Sequence, residues 1–423
     1  MEVHTFFLAL MVILLFARVL AEVAVRFNVP SVVGELLAGV ILGPTVLGWL
    51  EPVEVLRLLA EIGIILLLFE VGVDTDVSRL VRAGPRALVV AVSGFVLPFV
   101  LGSVLCYSVF DLSPLVSLFI GGTLTATSIG ITVRVLRDLG RQQGREGQIV
   151  LGAAVIDDVF GVVLLALLYE FSAGGGISLV NAAKVMLFVG AFFLIAPMVA
   201  KFMSLVIRRF DAVSEIPGLI PTSVVSLVLF FAWLAHMVGA PELLGGFAAG
   251  LALSRRFFLP FGMAIKTDPE FAGRIIEQML PIVRLFTPIF FVMVGLSLNL
   301  RAVDWGSPFI WAFSLTLLSV AILGKLGCAL LVNESWPVRT VIGIAMVPRG
   351  EVGIIFAELG KTAGIFSAAV YAGLVIVIAF TTLVAPFALK WFYGRYGGQC
   401  PAARLVDDDI LDSTGVSREK AGT

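Results

Sequence analysis

The sequence predicts an all-α polytopic membrane protein of about thirteen transmembrane helices, arranged as inverted repeats with two discontinuous helices. Three observations predict it. Of 423 residues, 59% are hydrophobic and 14% charged, with a mean hydropathy of +1.07, against about 25% charged in soluble domains. Apolar runs of spanning length follow one another along almost the whole chain, and basic residues gather in alternate connections between them.

A spanning helix needs about 20 mostly apolar residues. That yields spans at roughly 3–25, 31–50, 53–73, 85–110, 114–135, 147–170, 178–207, 217–239, 241–255, 279–300, 307–332, 337–361 and 365–393. The second and ninth are short and glycine-rich. No basic n-region precedes the first run and Arg18 interrupts it, so it reads as a retained helix rather than a cleaved leader. The polar stretch from 396 onward, with Asp407, Asp408 and Asp409, reads as a short cytoplasmic tail rather than a soluble regulatory domain.

The basic residues fix an orientation. Arg26 follows the first span; Arg79, Arg82 and Arg86 follow the third; Arg134, Arg137, Arg141 and Arg145 surround the link from the fifth to the sixth. Arg208 and Arg209 follow the seventh, Arg255, Arg256 and Lys266 the ninth, and Lys390 and Arg395 end the last. The intervening connections carry few basic residues, Arg301 and Lys361 excepted. Positive loops stay in the cytoplasm, which puts the N-terminus outside and the C-terminus inside. In this reading the four arginines around the fifth and sixth spans are topology charges only. The net charge of −1 points to no nucleic-acid partner. Cys106, Cys328 and Cys400 are odd in number and far apart, so they form no disulfide framework. His4 and His236 look like neither metal ligands nor pH sensors.

The sixth span carries the chemistry. Asp157 and Asp158 sit mid-run in VLGAAVIDDVFGVVLLALL. An isolated charge at the bilayer centre costs at least ~2.5–3.5 kcal/mol, so intramembrane carboxylates mark ion or proton pathways. A buried carboxylate open to a water-filled cavity can hold either H+ or Na+, and competition for one site is the minimal exchange mechanism. Asp158 is the first choice for the ion and proton carrier, with Asp157 the second carboxylate of a Na+ site. Adjacent residues project about 100° apart on a helix, so the two meet different surroundings. Glu35, Glu61 and Glu70 also fall near or within apolar runs. Glu35 and Glu61 line either the cytoplasmic approach or a domain interface, or are simply solvated.

Two spans are poor continuous helices. The fifth contains GGTLTATSIGIT; the twelfth contains MVPRGEVG, with Pro348, Gly350 and Gly353 at mid-membrane depth. Proline removes a backbone donor and glycine weakens a helix. The two lie an odd number of spans apart and so run in opposite directions. Broken helices at matching places in inverted halves are the best sequence pointer to a transporter site. Thr127 and Ser128, in the first break, are either oxygen ligands for a hard cation or ordinary small packing residues.

Four motifs in this order, TATSIGITVRVL (125–136), GAAVIDD (152–158), GKLGC (324–328) and AMVPRGEVG (345–353), resemble the bacterial Na+/H+ antiporters of the cation:proton antiporter-2 family, the NapA type above all. The resemblance covers nearly the whole chain. It implies a core domain (84–172 and 305–395), a dimerisation domain (1–83 and 211–304), a linker helix (173–210) and the tail 396–423. The two broken helices would cross in the core beside the aspartates. It also implies a homodimer in the bacterial cytoplasmic membrane, working by an elevator-like motion and needing no cofactor beyond the transported ions. It pairs Asp157 with Lys325, either as a titratable proton carrier or as a permanent ion pair. At the second break, Arg349 and Glu351 are placed to neutralise the partial charges of the crossed half-helix ends, or to help ligate the ion.

The leading reading is therefore electrogenic Na+ (or Li+)/H+ exchange, two protons per sodium ion, and no enzymatic activity. K+/H+ exchange by the same family is the alternative. An intramembrane aspartyl protease needs carboxylates on separate helices in Tyr-Asp and Gly-x-Gly-Asp contexts, and this chain has neither. A channel is a further alternative, but buried titratable groups fit alternating access better.

Overall fold

The computed structural model describes residues 3–27, 29–74, 77–172, 218–253 and 269–400, with scattered positions between 183 and 209. Fourteen α-helices lie among them and no strand. They are α1 (Val3–Arg26), α2 (Ser31–Leu42), α3 (Glu54–Asp74), α4 (Val77–Ser108), α5 (Pro114–Thr125), α6 (Ile129–Asp138) and α7 (Arg145–Ser172). After the seventh expected span come α8 (Leu219–Met237), α9 (Glu242–Leu253), α10 (Pro269–Ser297), α11 (Pro308–Leu330), α12 (Trp336–Ala345), α13 (Glu351–Thr362) and α14 (Ala368–Tyr396). In a bilayer every backbone polar group must be satisfied within the segment, which leaves helices as the answer to this composition.

Eight of the described helical stretches are long and apolar enough to cross a membrane. Twelve expected spans fall on the fourteen helices, because the fifth and twelfth are each split in two. The seventh span, 178–207, lies mostly outside the described residues, and Arg208, Arg255, Arg256, Lys266 and the Asp407–Asp409 run lie wholly outside them. Several boundaries differ from expectation. The fourth span starts at Val77 and the tenth at Pro269, each carrying prolines inside the helix. The second stops at Leu42 rather than near 50: Gly43 turns extended, Pro44 follows, and Thr45 Oγ1 donates to the Leu298 carbonyl.

The short helices α2 and α9 pack without intervening side chains. Gly39 on α2 faces Gly295 on α10, where an added Cβ on Gly39 would stand 2.8 Å from the Gly295 Cα. Gly250 on α9 faces Gly72 on α3, with the equivalent distance 2.9 Å. Small residues let backbones approach closely in membranes. The pairs α2–α10 and α9–α3 thus repeat one contact with the partners exchanged, as inverted repeats require.

Around the aspartates, α4 lies against both α7 and α11. Gly94 on α4 leaves room for the α11 side chains: a Cβ there would sit 3.5 Å from Lys325 Cδ and 3.2 Å from Cys328 Sγ. Gly324 on α11 packs on Pro98 of α4 in the same way.

Candidate functional site

Local chemistry makes the two breaks. α5 starts at a Ser113 N-cap, whose hydroxyl accepts from Val116 N, followed by Pro114 in the first turn. It stops at Thr125, because Ala126, Thr127 and Ser128 are non-helical, and α6 resumes at Ile129. α12 likewise starts at Ser335–Trp336–Pro337 and ends at Ala345. Pro348 has no N–H to continue the ladder, and α13 restarts after Gly350.

Each break exposes carbonyls at the end of its first half-helix, and the other break supplies donors. Ser128 N donates to the Pro348 carbonyl at 2.9 Å. Thr127 Oγ1 donates to the Met346 carbonyl at 3.1 Å, and Thr132 Oγ1 to the Ala345 carbonyl at 2.8 Å. Arg349, fully buried, reaches both C-terminal ends: Nη2 donates to the Leu124 carbonyl at 2.6 Å, and Nη1 to Met346 and Val347 carbonyls at 3.3 and 3.2 Å. Its own carbonyl accepts from Thr382 on α14. A cation is the right group here, since helix C-termini carry partial negative charge. Gly350 is required by the crossing, because a Cβ would lie 2.7 Å from Ser128 Cβ. Glu351 opens α13, and its side chain lies outside the described set.

Asp157 and Asp158 are buried beside this crossing. Lys325 Nζ donates to Asp157 Oδ2 at 3.1 Å, with both side chains fully enclosed. Asp157 Oδ1 has no hydrogen-bond partner among the described residues. The structure thus pairs Asp157 with Lys325 and crosses Thr127 and Ser128 with the Met346–Arg349 stretch, while Asp158 follows Asp157 on α7, which packs against α5, α6, α12 and α13. Two carboxylates, an ammonium, a guanidinium and unwound backbone are all buried in this part of the fold.

The arginines read as topology charges have partners, because desolvation near a helix junction favours pairing over exposure. Arg134 Nη2 lies 3.4 Å from Glu35 Oε1, and its Nε 3.3 Å from Asp138 Oδ1. Arg137 Nη1 lies 2.5 Å from Glu70 Oε2. Arg145 Nη2 shares Glu334 Oε1 with Arg86 Nε, at 2.8 and 3.0 Å. Arg141 donates to the Gly397 carbonyl at 2.6 Å and lies 4.0 Å from Glu146, which also accepts from Tyr393 Oη at 2.9 Å. The Arg134, Arg137 and Asp138 spacing, one face of a helix, was the signal for this cluster. Thr132 and Thr382 carry no comparable signal.

At the opposite end of the helices a cavity of about 720 Å³ opens between α3, α9 and α10 on one side and α7 and α13 on the other. Glu61, His236 and Glu242 line it, with His236 Nδ1 2.6 Å from Glu242 Oε1. Gly161, about one turn along α7 from Asp158, is among its lining residues.

Residues 8–394 match the family described as "Sodium/hydrogen exchanger, transmembrane". The high-affinity Na+/H+ antiporter NhaS3 of Synechocystis sp. is 33% identical, the match covering 90% of this chain and 88% of that protein. The Na+/H+-K+ antiporter GerN of Bacillus cereus is 34% identical over 92% of this chain and 96% of its own. The fold is that of the sodium proton antiporter MjNhaP1 from Methanocaldococcus jannaschii at pH 8, with a TM-score of 0.66 at 15% identity, covering 95% of this chain and 98% of that one. The chain belongs to the sodium/hydrogen exchanger family of transmembrane cation/proton antiporters, which are transporters without a cofactor and not enzymes.

Proposed function

We propose that the chain exchanges Na+ or Li+ for H+ across the bacterial cytoplasmic membrane, electrogenically, with two protons per sodium ion. The observation that carries this is the buried Lys325–Asp157 pair next to Asp158 at the crossing of two broken helices. Asp158 is the carrier for which Na+ and H+ compete. Asp157 completes the cation site once it releases Lys325, and the lysine then gives up the second proton. Thr127 and Ser128 add oxygen ligands, with Arg349 and Glu351 balancing the half-helix ends. Net movement of one charge couples exchange to the membrane potential at about 2.3 kcal/mol per 100 mV.

The moving part is the core, 84–172 with 305–395, which slides as an elevator against a dimerisation domain of 1–83 with 211–304. Residues 173–210 link the two and the protein works as a homodimer. The N-terminus faces outside and the C-terminus the cytoplasm, so the 720 Å³ cavity opens outward. K+/H+ exchange is the second reading, favoured by the mixed cation range named for GerN.

The test is purified protein in liposomes with an imposed pH gradient and separate additions of Na+, Li+ and K+. Collapse with Na+ and Li+ supports the sodium reading. Collapse with K+ alone replaces it with the second. No response from folded protein refutes both.

A further inference from the structure

Among the described residues, the ion pairs that join different elements at the basic end of the helices fall into two groups. Arg86 and Arg145 meet Glu334, and Arg141 and Tyr393 meet Glu146. These join α4, α7, the connection after α11 and the end of α14, all within the proposed core. The other group joins the core to the dimerisation domain. Arg134 of α6 reaches Glu35 and Ser31 of α2, the latter at 3.1 Å, while Ser31 Oγ donates to Asp138 Oδ2 at 2.7 Å. One turn along α6, Arg137 reaches Glu70 of α3. Side-chain exposures of 3% for Glu35, 13% for Glu70, 18% for Arg134 and 24% for Arg137 mean that solvent screens these pairs weakly. A rigid slide of the core keeps the first group and must break the second.

We propose that Glu35, Glu70, Arg134 and Arg137 are positioning residues of the exchange cycle: paired, they hold the basic end shut and favour the conformation whose cavity opens at the other end. The proposal rests on the two-body reading above. α6 is itself the basic-end half of the first broken helix, so the same ten residues that frame the crossing carry the latch. Among the described residues no ion pair joins the core to the dimerisation domain at the cavity end, where α13 contributes Val352, Ile355 and Leu359 to the wall opposite α3 and α10. The resting equilibrium is therefore set by charge pairing at one end and apolar contact at the other.

Ser297, on the cavity wall, serves as reporter. In a background with Cys106, Cys328 and Cys400 replaced, S297C is labelled in proteoliposomes by a membrane-impermeant maleimide applied from the cavity side. Glu35→Gln with Glu70→Gln is expected to lower the labelling rate about five-fold or more, by moving protein to the state in which the cavity is closed. The exchanged pair, Glu70→Arg with Arg137→Glu, is expected to restore a rate within about two-fold of the parent. A melting curve for each variant separates this from misfolding. If the parent's labelling responds to Na+ but the double glutamine variant labels at the parent's rate, the latch is wrong while the two-body reading stands. If the exchanged pair labels as slowly as the glutamine variant, charge pairing is not the cause and the proposal falls. If the parent's labelling ignores both Na+ and pH gradients, the two-body reading itself fails and takes the latch with it.

Discussion

Removing Asp157 and Lys325 singly and together distinguishes a mutually compensated pair from two independent buried groups. At 3.1 Å and an effective dielectric of about 20, the opposite charges attract by about 5 kcal/mol. Desolvation takes back several kcal/mol per ion, so the intact pair is close to neutral for stability. A lone member keeps the burial cost without the attraction, and about 3–5 kcal/mol is lost. With unfolding entropies near 2.1 cal/mol/K per residue, that loss lowers Tm by about 3–6 °C for a chain of this length. Asp157→Asn and Lys325→Met should each show it in thermal unfolding of purified protein, followed by the fraction that stays monodisperse. The double variant should recover most of the loss, because no charge is left uncompensated. A double variant that falls by the sum of the singles refutes the pairing argument.

Three further outcomes are expected. Asp158→Asn should abolish Na+-driven proton movement in liposomes while melting within about 2 °C of the parent; robust exchange would remove Asp158 as carrier. Thr127→Ala removes one of two donors to the Met346 carbonyl, since Arg349 Nη1 also reaches it, so the stability cost should stay near 1 kcal/mol. Its half-saturation concentration for Na+ should rise several-fold, and an unchanged value counts against ligation. Gly350→Ala forces a methyl against Ser128 and should cost about 1–3 kcal/mol in the melt. Adding Ser128→Gly should relieve that loss, and a loss that persists would show that the crossing does not depend on this contact.

Much of the fold was legible because the bilayer leaves few options. Apolar run length located most spans, and charge alternation constrained their number. The break at 346–350 was readable because proline and glycine act locally, through a missing donor and a missing side chain, and the one at 126–128, which holds neither, only from the small and hydroxyl residues of GGTLTATSIGIT around it. The partners across each break were not. That Arg349 turns back to the Leu124 carbonyl, or that Thr132 reaches Ala345, depends on how two half-helices cross, and no local spacing encodes it. The pairing of Glu35 with Arg134 escaped for a related reason. Arginines near a helix end satisfy the topology rule whether or not a carboxylate from another helix meets them. Helix ends were misjudged where hydropathy and backbone geometry part company, as at Gly43, where apolar sequence continues but the chain turns.

The twelve-residue helices have a consequence for electrical work. At 1.5 Å per residue, α2 and α9 rise about 18 Å, well short of the roughly 30 Å hydrocarbon layer. They need not reach further, because α9 has eleven of its twelve residues buried and meets protein rather than lipid tails. The cavity that begins at the α9 N-terminus lets the polar medium in from one face. Where the insulating layer narrows from about 30 to about 18 Å, the same voltage drops over a shorter path and the field is about 1.7 times steeper. An ion crossing there does most of its work over a few ångströms around the helix crossing. If exchange is electrogenic as proposed, its voltage sensitivity is a property of the scaffold's thin places as much as of the charged groups themselves.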